Sequence, residues 1–390
     1  MNKKMIITMT LLFLSLFIIF SIDIQNVTTK VISPNNISKI KYNENIPPEW
    51  LDDGIFKEYY NSAYNKLMTM TLEEKIGQML LVRYPEFNQT EILKKYKFAG
   101  YIFYAKDFEN KTTAEVIEMT NNIQNISEIP LLTAVDEEGG KVVRISSNRS
   151  LTYEPFKSSS ELYKLGGFEA IAADTIYKSY VLSTLGINLN LAPVVDVSTN
   201  SDDYIYERAL QENTELTSTY AKTVIEASKG TGVSYTLKHF PGYGNNKDTH
   251  ISISNDNRPY ENILKNDLPP FVLGINAGAE AIMISHNIVD SIDSKNPASL
   301  SEKVNIFLRN DLNFTGIIMT DALEMSALND IIDVNIKAII AGNDLIITTD
   351  YERSFNEIKD AVNKGIIDEN RINNSVFRIL AWKYYKNLME

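Results

Sequence analysis

VSYTLKHFPGYGNNKDTH, residues 233–250, begins as a strand and ends as a loop full of reactive side chains. VSYTLKH is one of several short apolar runs in the chain, and such runs fit strands buried on both faces of a parallel sheet. From Lys238 onward, KHFPGYGNNKDTH holds two of the chain's three histidines, together with Asp248 and two glycines. A polar loop with two incidental histidines is one reading, and a catalytic loop is the other. The fold around the stretch decides between them.

Working outward, eight candidate strands recur along the chain. They are IGQMLLV (76–82), AGYIFY (99–104), PLLTAV (130–135), INLNLAPVV (187–195), VSYTLKH (233–239), AEAIMIS (279–285), GIIMT (316–320) and DLIITT (344–349). Between them, stretches such as TTAEVIEMTNNIQNIS and FEAIAADTIYKSYVLSTLG carry apolar residues at helical spacing. Thr71 and Glu74, in TLEE, fit a capping box that opens the folded part. Eight alternating units predict an α/β fold, a single (β/α)8 TIM-type barrel. Asp136, Asp196, His239, His286 and Asp321 each end or follow a predicted strand, where barrel enzymes build their sites.

Composition narrows the function. The formal net charge of -12 argues against a nucleic-acid partner, because phosphate binding needs clustered Lys and Arg. The chain has no cysteine, which removes disulfides, thiolate nucleophiles and Cys-ligated metals. No P-loop or GxGxxG fingerprint is present, and the two clustered histidines match no zinc-ligand spacing. The expectation is therefore no metal and no organic cofactor.

Residues 1–24 form an N-terminal signal or anchor segment. Lys3 and Lys4 precede an uncharged apolar run from 5 to 22, long enough to span a bilayer, and no Ala-x-Ala-like cleavage site follows. The lysines favour an inside N-terminus and an outward-facing remainder. The chain is expected to be extracytoplasmic, anchored by an uncleaved segment, or secreted if the segment is removed. A lipid-modified cysteine is excluded. Residues 25–50 read as a polar tether and 51–390 as the barrel domain.

Five motifs in order, MTLEEKIGQMLLV (70–82), VDEEGGKVVRI (135–145), LAPVVDV (191–197), KHFPGYG…DTH and IIMTDALEM (317–325), carry a resemblance. Together they resemble glycoside hydrolase family 3, and within it the β-N-acetylhexosaminidase branch, over about residues 65 to 385. The resemblance implies that Asp321 is the nucleophile of a retaining glycosidase. It implies that His250 is the acid/base and that Asp248 orients it. An imidazole suits that work because it titrates near neutral pH. It also implies that Asp136, Arg144, Arg208, Lys238 and His239 bind the sugar, with Gly139 and Gly140 allowing close backbone approach. His239 could instead be a satisfied core histidine, and His286 could be structural or line the site.

Relatives with two domains take their acid from a following domain. This chain stops at 390, so the acid is expected within the barrel, in the DTH segment. Two features depart from the family pattern: Tyr243 stands in PGYG where PGHG is common, and the loop from Gly244 to Asp248 is one residue shorter. Glu137 replaces a common Gln, an exchange expected to be harmless. The favoured function is an exo-β-N-acetylglucosaminidase acting on peptidoglycan fragments, with GlcNAc-containing muropeptides as substrates. A family 3 β-glucosidase or β-xylosidase, a GlcNAc phosphorylase and an inactive wall-binding module are the alternatives.

Overall fold

The computed structural model describes residues 40–390. Eight parallel strands lie in one sheet: β1 (Leu80–Arg83), β2 (Gly100–Phe103), β3 (Leu132–Val135), β4 (Leu189–Asn190), β5 (Ser234–Phe240), β6 (Ala281–Ile284), β7 (Ile317–Thr320) and β8 (Ile346–Thr348). Each pairs with its sequence neighbour through β7, and β8 returns to β1, with Leu80 opposite Ile346. Met319 bridges Leu345 just ahead of β8, so the sheet curls into a nearly closed barrel. The expected α/β barrel is therefore present. A short parallel pair, Asn255–Asp256 with Ile288–Val289, lies outside the barrel sheet.

Each of the eight predicted runs overlaps a barrel strand, and two are cut back most. IGQMLLV divides, because the helix Leu72–Gln78 continues through its first three residues. Thr71 caps that helix as expected, accepting from Glu74 N while the Glu74 carboxylate accepts from Thr71 N at 2.8 Å. INLNLAPVV yields only the two-residue strand β4, since Pro193 lacks the N–H needed to extend a regular ladder. The strands are fully buried apart from the end of β1, as in a sheet packed on both faces. Gly100 permits the close approach of β2 to β3: a Cβ there would stand 2.0 Å from the Leu132 carbonyl oxygen.

Packing begins earlier than residue 51. Ile46 and Trp50 are buried, Trp50 lies 5.4 Å from Phe377, and Tyr42 meets Tyr60 at 6.1 Å. The last part of the segment read as a tether thus lies against the C-terminal helix, Glu369–Tyr385. The predicted membrane segment, residues 1–24, falls outside the described residues. Among the described residues no helix is long and apolar enough to cross a membrane.

Parallel strands bring their C-terminal ends to one face. That geometry gathers Asp136 after β3, Lys238 and His239 at the end of β5, and Asp321 after β7.

Candidate active site

A cavity of about 790 Å³ opens at this face, a volume within the usual range for a small-molecule site. Its walls include all eight residues to which the resemblance gave catalytic or sugar-binding roles: Asp136, Arg144, Arg208, Lys238, His239, Asp248, His250 and Asp321. Residues more than 180 positions apart in the chain thus share one space.

One wall is a charge cluster. Lys238, only 2% exposed, donates to Asp136 at 2.8 Å and pairs with Glu138 at 2.7 Å. Arg208 clasps Glu138 with two bonds, Nε to Oε2 at 3.0 Å and Nη2 to Oε1 at 2.7 Å. Burial pushes the Glu138 carboxyl up, but Arg208 and Lys238 outweigh it and hold the group well below the usual range. Arg144 stands 3.7 Å from Asp136, and its Nε–H is buried with no partner. Glu137 is fully buried and accepts from the backbone of Arg144 at 2.8 Å and Ile145 at 2.7 Å. That carboxylate shapes the turn that presents Arg144. Gly139 closes the same turn at φ 96°, where a Cβ would lie 2.1 Å from the Lys157 carbonyl oxygen.

His239 combines both expectations. It lines the cavity, yet both ring nitrogens are engaged. Nδ1 lies 2.8 Å from Asp196 and Nε2 lies 3.3 Å from Arg208. Arg208 can only donate, so Nε2 accepts and the proton sits on Nδ1, facing the Asp196 carboxylate. Asp196 also accepts from the backbone N–H of Tyr243 at 2.7 Å. Asp196 therefore ties the end of β5 to the loop that follows.

Asp321 leaves β7 into the cavity, and its Oδ1 accepts from Ala322 N at 2.8 Å. Burial raises its pKa, but His286, His239, Lys238 and that N–H together pull it below the usual carboxylate range. Burial also lowers the pKa of His286, which keeps that ring neutral, so Lys238 is the lasting cation near Asp321. His286 does not line the cavity and is fully buried. Its Nε2 donates to the Ala322 carbonyl at 3.0 Å and its Nδ1 meets Ser299 Oγ at 2.7 Å. Of the two roles open to it, the structural one holds: it supports the peptide next to Asp321.

Across the cavity, His250 Nδ1 lies 2.7 Å from Asp248, and Asp248 also accepts from His250 N at 2.9 Å. Burial raises the Asp248 pKa, and the bonds from the His250 backbone and ring reverse the shift. The His250 side chain is 55% exposed at the cavity rim. The shorter loop thus still delivers His250 to the cavity that holds Asp321.

Four further lining residues carried no sequence signal of their own: Glu138, Tyr104, Tyr204 and Glu324. The Tyr104 ring meets two guanidinium groups, Arg83 at 4.5 Å and Arg144 at 5.8 Å. Burial pushes its phenol up to about 12. Tyr204 Oη stands 3.3 Å from His250 Nδ1. Glu324 accepts from Thr348 Oγ1 at 2.5 Å and from Asp350 N at 3.1 Å. Glu138 and Glu324 both sit inside quoted motifs, VDEEGGKVVRI and IIMTDALEM, beside the acids Asp136 and Asp321.

Comparison with known proteins agrees with this architecture. Residues 71–382 match the glycosyl hydrolase family 3 N-terminal domain. A beta-hexosaminidase of Xanthomonas oryzae pv. oryzae is 32% identical over 234 residues, 59% of this chain and 69% of that protein. Beta-hexosaminidase A of Pseudoalteromonas piscicida is 28% identical over 329 residues, 75% of this chain and 54% of that one. The solved family 3 beta-N-acetylglucosaminidase of Paenibacillus sp. str. FPU-7 superposes with a TM-score of 0.77 at 28% identity. That match covers 82% of this chain and 63% of the Paenibacillus chain. With four-fifths of its length matched to the family domain, the chain belongs to glycosyl hydrolase family 3.

Proposed function

We propose that the chain is a retaining exo-β-N-acetylglucosaminidase that removes terminal GlcNAc from peptidoglycan fragments. The carrying observation is the division of one cavity into an anionic Asp321, a cluster of fixed hydrogen-bonding groups, and an imidazole held by its own carboxylate. In this reading Asp321 attacks the anomeric carbon while His250 gives a proton to the departing oxygen. The C–O bond to the leaving group breaks as the C–O bond to Asp321 forms. His250, now neutral, takes a proton from water, whose oxygen displaces Asp321, and the two inversions leave net retention.

The electrostatics support these roles. A nucleophile must be ionised, and the Asp321 pKa is lowered. A general acid must carry a proton near neutral pH, which the other cavity carboxylates are poorly placed to do. Glu138 is held ionised by Arg208 and Lys238, Asp136 pairs with Lys238, and Glu324 accepts two hydrogen bonds. His250, oriented by Asp248, is left for the proton. Asp136, Lys238, Arg208 and Arg144, all lining the cavity, would hold the sugar hydroxyls. The names of the hexosaminidase relatives support GlcNAc over other sugars. The apolar run at residues 5–22 supports an outward-facing, wall-side enzyme.

Hydrolysis of the p-nitrophenyl β-glycosides of GlcNAc, glucose and xylose tests the specificity. The proposal expects kcat/KM for the GlcNAc substrate to exceed the others by at least about 100-fold, as a site built to bond the acetamide would discriminate. A preference for glucose or xylose refutes it.

A further inference from the structure

The loop bearing Asp248 and His250 is exposed at its tip, yet one residue between them is not. Thr249 is 1% exposed, and Tyr243, on which it rests, is 2% exposed. The Tyr243 hydroxyl lies 2.5 Å from Thr249 Oγ1 and accepts from Thr249 N at 3.1 Å. The Thr249 carbonyl in turn accepts from Ala327 N at 3.2 Å. Ala327 lies two residues beyond the TDALEM stretch (320–325), which contains Asp321. Thr249 thus joins the loop of one proposed catalytic group to the loop of the other.

Tyr243 is itself fixed. Its N–H is held by Asp196, its ring meets His239 edge-on at 5.4 Å, and the Tyr204 ring lies 5.6 Å away. Behind it, Asn246 donates to the Tyr243 carbonyl at 2.8 Å and accepts from Ser254 Oγ at 3.0 Å, closing the base of the loop. Burial raises the Tyr243 pKa, so the phenol stays protonated and keeps both hydroxyl contacts.

We propose that Tyr243 is a positioning residue whose hydroxyl, through Thr249, latches His250 over the cavity at a set distance from Asp321. The latch replaces the rigidity that an exposed loop lacks. An exposed tip with no buried anchor samples many positions, and a displacement of about 1 Å at a reacting group costs about 100-fold in rate. The inference rests on the reading of His250 as acid/base, and its test separates the two ideas.

The experiment compares kcat/KM for phenyl and 2,4-dinitrophenyl β-GlcNAc, because only the first leaving group needs a proton. Tyr243→Phe keeps the ring and removes the hydroxyl. It is expected to lower kcat/KM on the phenyl substrate by about 10- to 100-fold and on the dinitrophenyl substrate by less than about 3-fold. Thr249→Val, which removes the partner hydroxyl at nearly constant shape, is expected to shift the ratio the same way, and it decides the matter if Tyr243→Phe does not fold. Amide exchange at Thr249 and His250 should quicken in both variants. Equal losses on the two substrates, or none, with unchanged exchange would overturn the latch. His250→Ala is the control for the reading beneath it. If that variant shows no leaving-group bias, the proton-transfer role fails, and the latch then stands or falls on the exchange rates alone.

Discussion

Glu138→Gln attacks the charge cluster at its centre. The Glu138 carboxylate is 5% exposed and accepts from three donors: Lys238 Nζ at 2.7 Å, Arg208 Nη2 at 2.7 Å and Arg208 Nε at 3.0 Å. A glutamine offers one acceptor oxygen and turns an NH2 toward one of the two cations. At least one donor loses its partner, and Lys238 and Arg208 lose the buried anion they share. Breaking a buried pair by removing one charge costs about 3–5 kcal/mol, out of a typical stability of roughly 5–15 kcal/mol. With a urea slope near 3 kcal/mol/M, the unfolding midpoint should fall by about 1 M or more. The loss should also depend on pH. The folded Glu138 pKa lies below its ordinary 4.5, so its stabilisation is complete above that value and lost as pH falls below it. Wild type should therefore lose more stability than the variant between pH 5 and pH 3. Urea unfolding followed by both fluorescence and circular dichroism measures each effect. A midpoint shift under about 0.3 M, or equal acid slopes, would refute the view that Glu138 holds Lys238 and Arg208 in place.

Two other sites give independent expectations. Lys383 is fully buried with its Nζ 2.6 Å from the Gln78 amide oxygen, and burial pushes its pKa well down. The unfolded chain then binds the extra proton, so stability should rise with pH toward the ordinary 10.5, and Lys383→Met should flatten that rise in urea midpoints at pH 7, 8 and 9. His286→Leu removes the buried bonds to Ser299 and Ala322, and should cost about 2–4 kcal/mol in urea unfolding. Because Ala322 N holds Asp321, kcat should fall as well, and an unchanged kcat would remove His286 from the support of the site.

Much of this arrangement was legible in the chain, for definite reasons. Barrel strands buried on both faces leave continuous apolar runs, so GIIMT and AEAIMIS stood out and their polar ends marked one rim. Motif order then picked the residues that the structure gathers around the cavity. Glu138 was not legible, because a carboxylate that neutralises two cations in the fold is, in the chain, one more acid after Glu137. Tyr204 and Glu324 reach the cavity from loops whose paths no periodicity reports. Tyr243 was visible only as a departure from the expected PGHG, and its partner Thr249 drew no notice between two polar residues. The burial of Ile46 and Trp50 was not legible, because they are isolated apolar residues in a polar stretch and Trp50 meets Phe377 only through a long-range contact.

The central claim is that Asp321 becomes covalently attached to the sugar. Incubation with a 5-fluoro β-GlcNAc fluoride, followed by proteolysis and mass spectrometry, tests it directly, since the fluorine slows release of the glycosyl–enzyme. The account predicts one added glycosyl group per chain, carried by the peptide containing Asp321 and absent in Asp321→Ala. A label on another residue, or near wild-type turnover by Asp321→Ala, would contradict it.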